Sequence, residues 1–158
     1  MGSVVRAAVA LGSNLGDRRA HLDFAASRLQ ALLGNLRVSS YYETVPVGLS
    51  GPQALFLNAA AVGDTTRSAR GLLEAFLAIE LERGRERPRP NMSRTLDIDL
   101  ILFGDAVIEE PGLVVPHPRF RDRRFVLEPL AAIAPALRDP VTGQSVADLL
   151  ARTSSGFR

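Results

Sequence analysis

Arg94-Thr95-Leu96-Asp97-Ile98-Asp99-Leu100-Ile101-Leu102-Phe103-Gly104 is an apolar run interrupted by two carboxylates, and it reads as a buried strand carrying two charges. A strand sends successive side chains to opposite faces, so Asp97 and Asp99 share one face while Leu96, Ile98 and Leu100 share the other. Two like charges that close need a counter-charge, and a hard divalent cation with oxygen ligands is the commonest solution. The pair therefore reads either as a Mg²⁺ site or as strand acids neutralised by arginines.

Working outward from that strand, the chain alternates strands and helices. Val4 to Leu11 is a short apolar strand that ends in the loop Gly12-Ser13-Asn14-Leu15-Gly16. Asp17 can cap a helix to about Leu33, with Leu22, Ala25, Ala26, Leu29, Leu32 and Leu33 on its apolar face and Gly34 as its stop. Leu36 to Tyr42 reads as a second strand and Glu43 to Pro52 as a loop. Ala54 to Val62 reads as a third strand leading to Gly63-Asp64. Ser68 to Arg83 carries Leu72, Leu73, Phe76, Ile79 and Leu81 at helical spacing, and an Arg- and Pro-rich loop, Arg85 to Ser93, feeds the strand with the two acids. The order β-α-β-β-α-β is the signature of an α+β, ferredoxin-like split βαβ antiparallel sheet with helices on one face. Beyond it, Val114 to Pro118 is extended, Phe125 to Ala134 reads as a helix despite Pro129, and Val146 to Leu150 adds a turn or two. No repeat or linker marks a boundary, so residues 1–158 read as a single domain with a C-terminal elaboration.

Composition narrows the chemistry. With 46% hydrophobic and 23% charged residues the chain is of ordinary globular type. It has no cysteine, which removes disulfides, thiolate metal sites and cysteine nucleophiles. All 19 basic residues are arginine, so a Gly-Lys-Ser/Thr phosphate loop, a Schiff-base lysine and a protein-kinase core are excluded. Arginines cluster at Arg83, Arg85, Arg87, Arg89 and Arg94 and again at Arg119, Arg121, Arg123 and Arg124. Guanidinium forks suit multi-oxygen phosphates, so two such clusters beside a carboxylate-bound metal would make a polyphosphate site. The apolar runs are too short to span a bilayer and the start lacks a signal-peptide core, so a cytoplasmic protein is expected.

Four ordered motifs add to this reading: Ala10-Leu11-Gly12-Ser13-Asn14-Leu15-Gly16-Asp17, Phe56-Leu57-Asn58-Ala59-Ala60, Arg94 to Leu100, and Val115-Pro116-His117-Pro118-Arg119. From Val4 to about Leu150 the chain resembles the 6-hydroxymethyl-7,8-dihydropterin pyrophosphokinase family. That resemblance implies transfer of pyrophosphate from ATP to the hydroxymethyl group of a reduced pterin, with release of AMP, on the route to folate. It implies two Mg²⁺ ions on Asp97 and Asp99, with Arg94 beside them as a catalytic residue. It carries over Glu80, Arg87, Leu100, His117 and Arg123 as residues around ATP. For the pterin it implies Phe56 and Phe125 as a stacking pair and Asn58 as the amide that reads the ring edge. Thr44, Val45 and Val47 would line the pocket through backbone groups, and Gly12 would let the first loop approach closely. Many members carry an Arg-Trp pair where this chain has Pro90-Asn91-Met92-Ser93, and Leu77 takes a helix position where some members place a polar side chain near the adenine. Arg121 and Arg124 read as solvated surface charges.

The expected partners are therefore two small molecules, ATP and a reduced pterin, bound by a monomer without nucleic acid or membrane. The rival readings are an RNA-binding or a ligand-sensing module of ferredoxin-like fold. An RNA-binding version places aromatics on the two central strands, whereas acids there repel phosphate unless a metal intervenes.

Overall fold

A computed structural model describes residues 3–44, 55–84 and 95–153. Its main sheet is built from β1 (Val5–Ser13), β2 (Gly34–Val38), β3 (Tyr42–Thr44), β4 (Phe56–Thr65) and β5 (Asp97–Phe103), all paired antiparallel. The order is β2-β4-β1-β5, and β3 takes the same edge of β4 as β2, further along. Central β1 is rich in alanine because both its faces are covered, with Ala7, Val9 and Leu11 buried on one side and Ala8 on the other.

Two helices cover the first face. In α1 (Arg18–Leu32) the Asp17 carboxylate accepts from the Ala20 N–H at 3.1 Å, the cap expected from the sequence. The helix buries Leu22, Ala25 and Leu29, a stripe of helical spacing. In α2 (Ala69–Glu82) the Ser68 hydroxyl accepts from the Gly71 N–H at 2.9 Å, and Leu72, Phe76 and Ile79 face the sheet. These side chains meet Leu11, Leu57, Ile98 and Leu100 in one core, each large one contributing roughly 1.5–3 kcal/mol by leaving water.

The second face departs from the expectation of helices on one side only. After β5 the chain makes a hairpin of β6 (Ile108–Glu110) and β7 (Leu113–Val115), a 3₁₀ turn (Phe120–Asp122), α3 (Arg124–Ile133) and α4 (Val146–Arg152). Phe120, Val126, Leu127, Leu130, Val146 and Leu149 form a second core against Ala8, Ala60, Val62, Ile101 and Leu102. Small alanines on β1 and β4 make room for this layer, which reaches Ala10. Towards Gly12 and Asn58 the face carries polar residues instead.

Three strand limits also differ from the sequence reading. Leu36 to Tyr42 is not one strand, because Ser39 breaks it: its N–H donates to Ala60 O at 2.8 Å and its hydroxyl accepts from the Ala60 N–H at 2.9 Å, substituting a side-chain bond for the ladder. β4 continues through Gly63 to Thr65, since this glycine answers a close approach rather than a turn. A Cβ there would lie 2.7 Å from Leu33 Cβ. Likewise β1 extends through Gly12 to Ser13, so Gly12 belongs to a strand and not to the loop after it.

Candidate active site

From Asp97 to Leu100 the predicted alternation holds. Ile98 and Leu100 are buried in the core beneath α1 and α2, whereas Asp97 is half-buried and Asp99 is exposed. Gly12 lies opposite Asp97 on one side and opposite Asn58 on the other, and Ala10 lies opposite Asp99 and Ala60. Tyr42 lies opposite Asn58, and Thr44 opposite Phe56. Directly opposed residues of antiparallel strands share a face, so three neighbouring strands bring both acids, Asn58 and Phe56 to one surface. With about 4.8 Å between strands, roughly 10 Å separates Asn58 from Asp97.

Gly12 keeps that surface open, for a Cβ would stand 3.3 Å from Asn58 Oδ1 and 3.7 Å from Phe56 Cδ1. Asn58 is buried, and its amide Nδ2 donates to the Thr44 hydroxyl. That orientation leaves Oδ1 on the Gly12 side as an acceptor. Thr44 ends β3, where the sequence reading has a loop, and its hydroxyl accepts from the Asn58 amide.

The segment between β7 and α3 brings cations and an aromatic to the same region. The His117 N–H donates to Ile101 O at 3.0 Å, which ties it to β5. Burial and the nearby guanidinium groups of Arg123 and Arg119 push the His117 imidazole down to about 4, so the ring is neutral at pH 7. Its Nδ1 accepts from the Arg119 N–H at 3.2 Å, which assigns the ring proton to Nε2 as a donor. Burial lowers the Arg123 guanidinium, Asp99 opposes that shift, and Arg119 adds to it, so Arg123 and Asp99 are electrostatic neighbours. Arg123 also lies 5.4 Å from the centroid of the Phe125 ring, on the first turn of α3.

Glu80 and Leu100 occupy the reverse side. Glu80, on α2, is 3% exposed, and its Oε2 accepts from the Ile98 N–H at 2.7 Å. Since β5 is an edge strand among the described residues, this bond closes one of its open backbone donors, at the residue between the two acids. The Leu100 side chain is buried in the core. Val45, Val47, Arg87 and Arg94, together with the loop Arg85 to Ser93, lie outside the described residues.

Arg121 and Arg124 are not solvated surface charges. Arg121 grips the fully buried carboxylate of Asp139 through Nε and Nη2, and Arg124 donates to the Thr153 hydroxyl at 3.0 Å. The sequence by itself gives Asp139 no role; the turn residues Asp139-Pro140 and Gly143 are its only local signal. Leu77, at the position near which some members place a polar group, is exposed.

Among the described residues no group of three or more His, Asp or Glu side chains could hold a metal by itself. Two carboxylates on one open face fit Mg²⁺ nonetheless, because that ion is commonly bound by one or two carboxylates together with substrate phosphates and water. No described helix is long and apolar enough to cross a membrane.

A family model for 7,8-dihydro-6-hydroxymethylpterin-pyrophosphokinase matches residues 8–135. A 2-amino-4-hydroxy-6-hydroxymethyldihydropteridine pyrophosphokinase from Pseudomonas aeruginosa is 41% identical over 150 residues, covering 94% of this chain and 91% of the relative. A protein of the same name from Bacillus subtilis is 44% identical over 136 residues, covering 85% of this chain and 81% of the relative. Among solved structures, wild-type HPPK-DHPS of Plasmodium falciparum superposes with a TM-score of 0.74 at 16% identity, a likeness of fold. It covers 96% of this chain, which spans 45% of that longer one.

Proposed function

The chain belongs to the 7,8-dihydro-6-hydroxymethylpterin-pyrophosphokinase family, and from that premise we propose how its open sheet face performs the reaction. The protein is a pyrophosphoryl transferase of folate synthesis, moving pyrophosphate from ATP to the hydroxymethyl group of 6-hydroxymethyl-7,8-dihydropterin. The observation that carries the assignment of residues is the common face of Asp97 and Asp99 beside Arg123. The enzyme names of these relatives leave the RNA-binding and ligand-sensing alternatives without support.

In this reaction the substrate hydroxyl attacks the β-phosphorus of ATP, the bond from that phosphorus to the α,β-bridging oxygen breaks, and AMP leaves. No covalent nucleophile is needed, so the residues have to align two substrates and offset phosphate charge. Asp97 and Asp99 would hold Mg²⁺, two ions in our reading, which when bound supplies charge neutralisation at the phosphates. Arg123 offers a guanidinium fork to a phosphate. His117, neutral with its proton on Nε2, donates to a second phosphate oxygen rather than adding charge. Arg87 and Arg94 complete the cation set. Phe56 and Phe125 stack on the faces of the pterin, while Asn58 Oδ1 accepts from its edge, an orientation supported by the bond to Thr44. Glu80 acts on the nucleotide side by fixing the backbone between the two acids.

We also read the fold as a split βαβ sheet with β3 inserted, which the order β2-β4-β1-β5 supports. The two cores share β1, β4 and β5, in keeping with one domain. Product analysis with ATP, Mg²⁺ and 6-hydroxymethyl-7,8-dihydropterin tests the reaction. Pterin-dependent AMP that disappears with a chelator and returns with Mg²⁺ is the expected result. ADP as the product, or turnover indifferent to the chelator, would refute it.

A further inference from the structure

Asp139 has no exposed surface, yet it sits in a turn after α3. Its carboxylate accepts from Nε and Nη2 of Arg121, the latter at 3.0 Å, from the Val141 N–H at 3.0 Å and from the Thr142 hydroxyl at 2.8 Å. The turn closes on itself, with the Asp139 N–H donating to Gln144 O at 2.9 Å and the Gly143 N–H to Asp139 O at 2.7 Å. After the turn, Val146 and Leu149 of α4 enter the second core. This carboxylate is a fixed point.

Arg121 lies at the middle of the 3₁₀ turn, between His117 and Arg123. That turn has three residues and no side-chain cap, and its local bonds, such as Phe120 N–H to His117 O at 3.3 Å and Arg123 N–H to Phe120 O at 3.2 Å, shape it without fixing it against the sheet. Two of its side chains tie it to the rest of the fold: the buried Phe120 ring and the Arg121 fork on Asp139. A guanidinium gripped at two nitrogens fixes direction as well as distance.

We propose that the Arg121–Asp139 clasp is a positioning device for the nucleotide site, setting the course of the chain from His117 to Arg123 and so the aim of both side chains. Arg121 touches no substrate in this account and acts through its neighbours. The clasp also gives a part in the reaction to a turn that lies beyond the residues 8–135 matched by the family. The inference rests on the reading of His117 and Arg123 as phosphate ligands.

Steady-state kinetics of Arg121→Gln, His117→Ala, Arg123→Ala and the double variant Arg121→Gln/Arg123→Ala separate the two ideas. For Arg121→Gln, kcat/KM for ATP falls roughly tenfold or more through misplacement, while KM for the pterin stays at the wild-type value. Arg121→Lys restores only part of it, since an ammonium grips at one point. Added to Arg123→Ala, Arg121→Gln costs less than it does alone, because one of the two residues through which it acts is already gone. Asp139→Asn, which keeps the side-chain shape, shifts ATP kinetics in the same direction and serves should Arg121→Gln not fold. Leu149→Ala loosens the same core without touching the clasp and lowers Tm with ATP kinetics intact. Wild-type ATP kinetics in folded Arg121→Gln, or the same ATP defect in Leu149→Ala, would overturn the clasp alone. Wild-type ATP kinetics in both His117→Ala and Arg123→Ala would overturn the phosphate reading and the clasp with it.

Discussion

On one face of the sheet Leu11, Leu57, Ile98 and Leu100 meet Leu22, Leu29, Leu72 and Phe76 in a dry core, while on the other Gly12, Asn58, Asp97 and Asp99 share a polar surface beyond Ala10. The two sets are interleaved along the same strands, one residue apart. A period of two lets neighbouring residues serve opposite ends: Ile98 holds the fold, and the acids on either side of it are released from that duty. Where the second face does need a core, alanines on β1 and β4 and the helix α3 supply it. Stability and chemistry should therefore respond to different substitutions.

The widest break in this comparison should come from Asp97→Ala and Asp99→Ala. Each is expected to cut pterin-dependent AMP release by roughly 10³-fold or more, the value of several kcal/mol of charge stabilisation. Tm by calorimetry should stay close to that of the parent, because neither side chain packs in a core. Phe76→Ala, on the reverse face, inverts the pattern: a loss of about 3–5 kcal/mol in urea unfolding, with kcat of the folded enzyme unchanged. Asn58→Ala sharpens the comparison within the polar face by raising KM for the pterin roughly tenfold while ATP binding, measured by calorimetry, holds. The smallest effect is one of pH. His117 is held neutral in the folded protein, down to about 4, so between there and its ordinary value of 6.5 the unfolded chain binds more protons. Stability of the parent should fall as pH drops through that window relative to His117→Asn, and above it the difference between the two should stop changing with pH in parallel denaturant titrations.

What could be read from the sequence was what depends on near neighbours. The acids of β5 declare their common face by spacing, Asp17 and Ser68 declare helix starts, and Leu22, Ala25 and Leu29 declare a buried stripe. What escaped depends on residues distant in the chain. Gly63 looks like a turn until Leu33 is seen against it, and Ser39 looks like strand until its bonds to Ala60 are counted. Arg121 looks like surface because its partner, Asp139, sits in a remote turn, where hydrogen bonds from Arg121, Val141 and Thr142 overcome burial and hold its carboxyl below the usual range. The layer of α3 and α4 on the second face was hidden for the same reason, since nothing local in Phe125 or Val126 says which side of the sheet they will meet.

In the proposed mechanism Asp97 and Asp99 together hold the metal that accompanies the nucleotide. The most direct test is electron paramagnetic resonance of Mn²⁺, in place of Mg²⁺, titrated with a non-hydrolysable ATP analogue into the parent protein, Asp97→Asn and Asp99→Asn. Nucleotide-dependent Mn²⁺ binding by the parent that is lost in each variant is the predicted result. Equal Mn²⁺ binding by all three folded proteins would contradict the account and return the two acids to the role of strand charges neutralised by arginine.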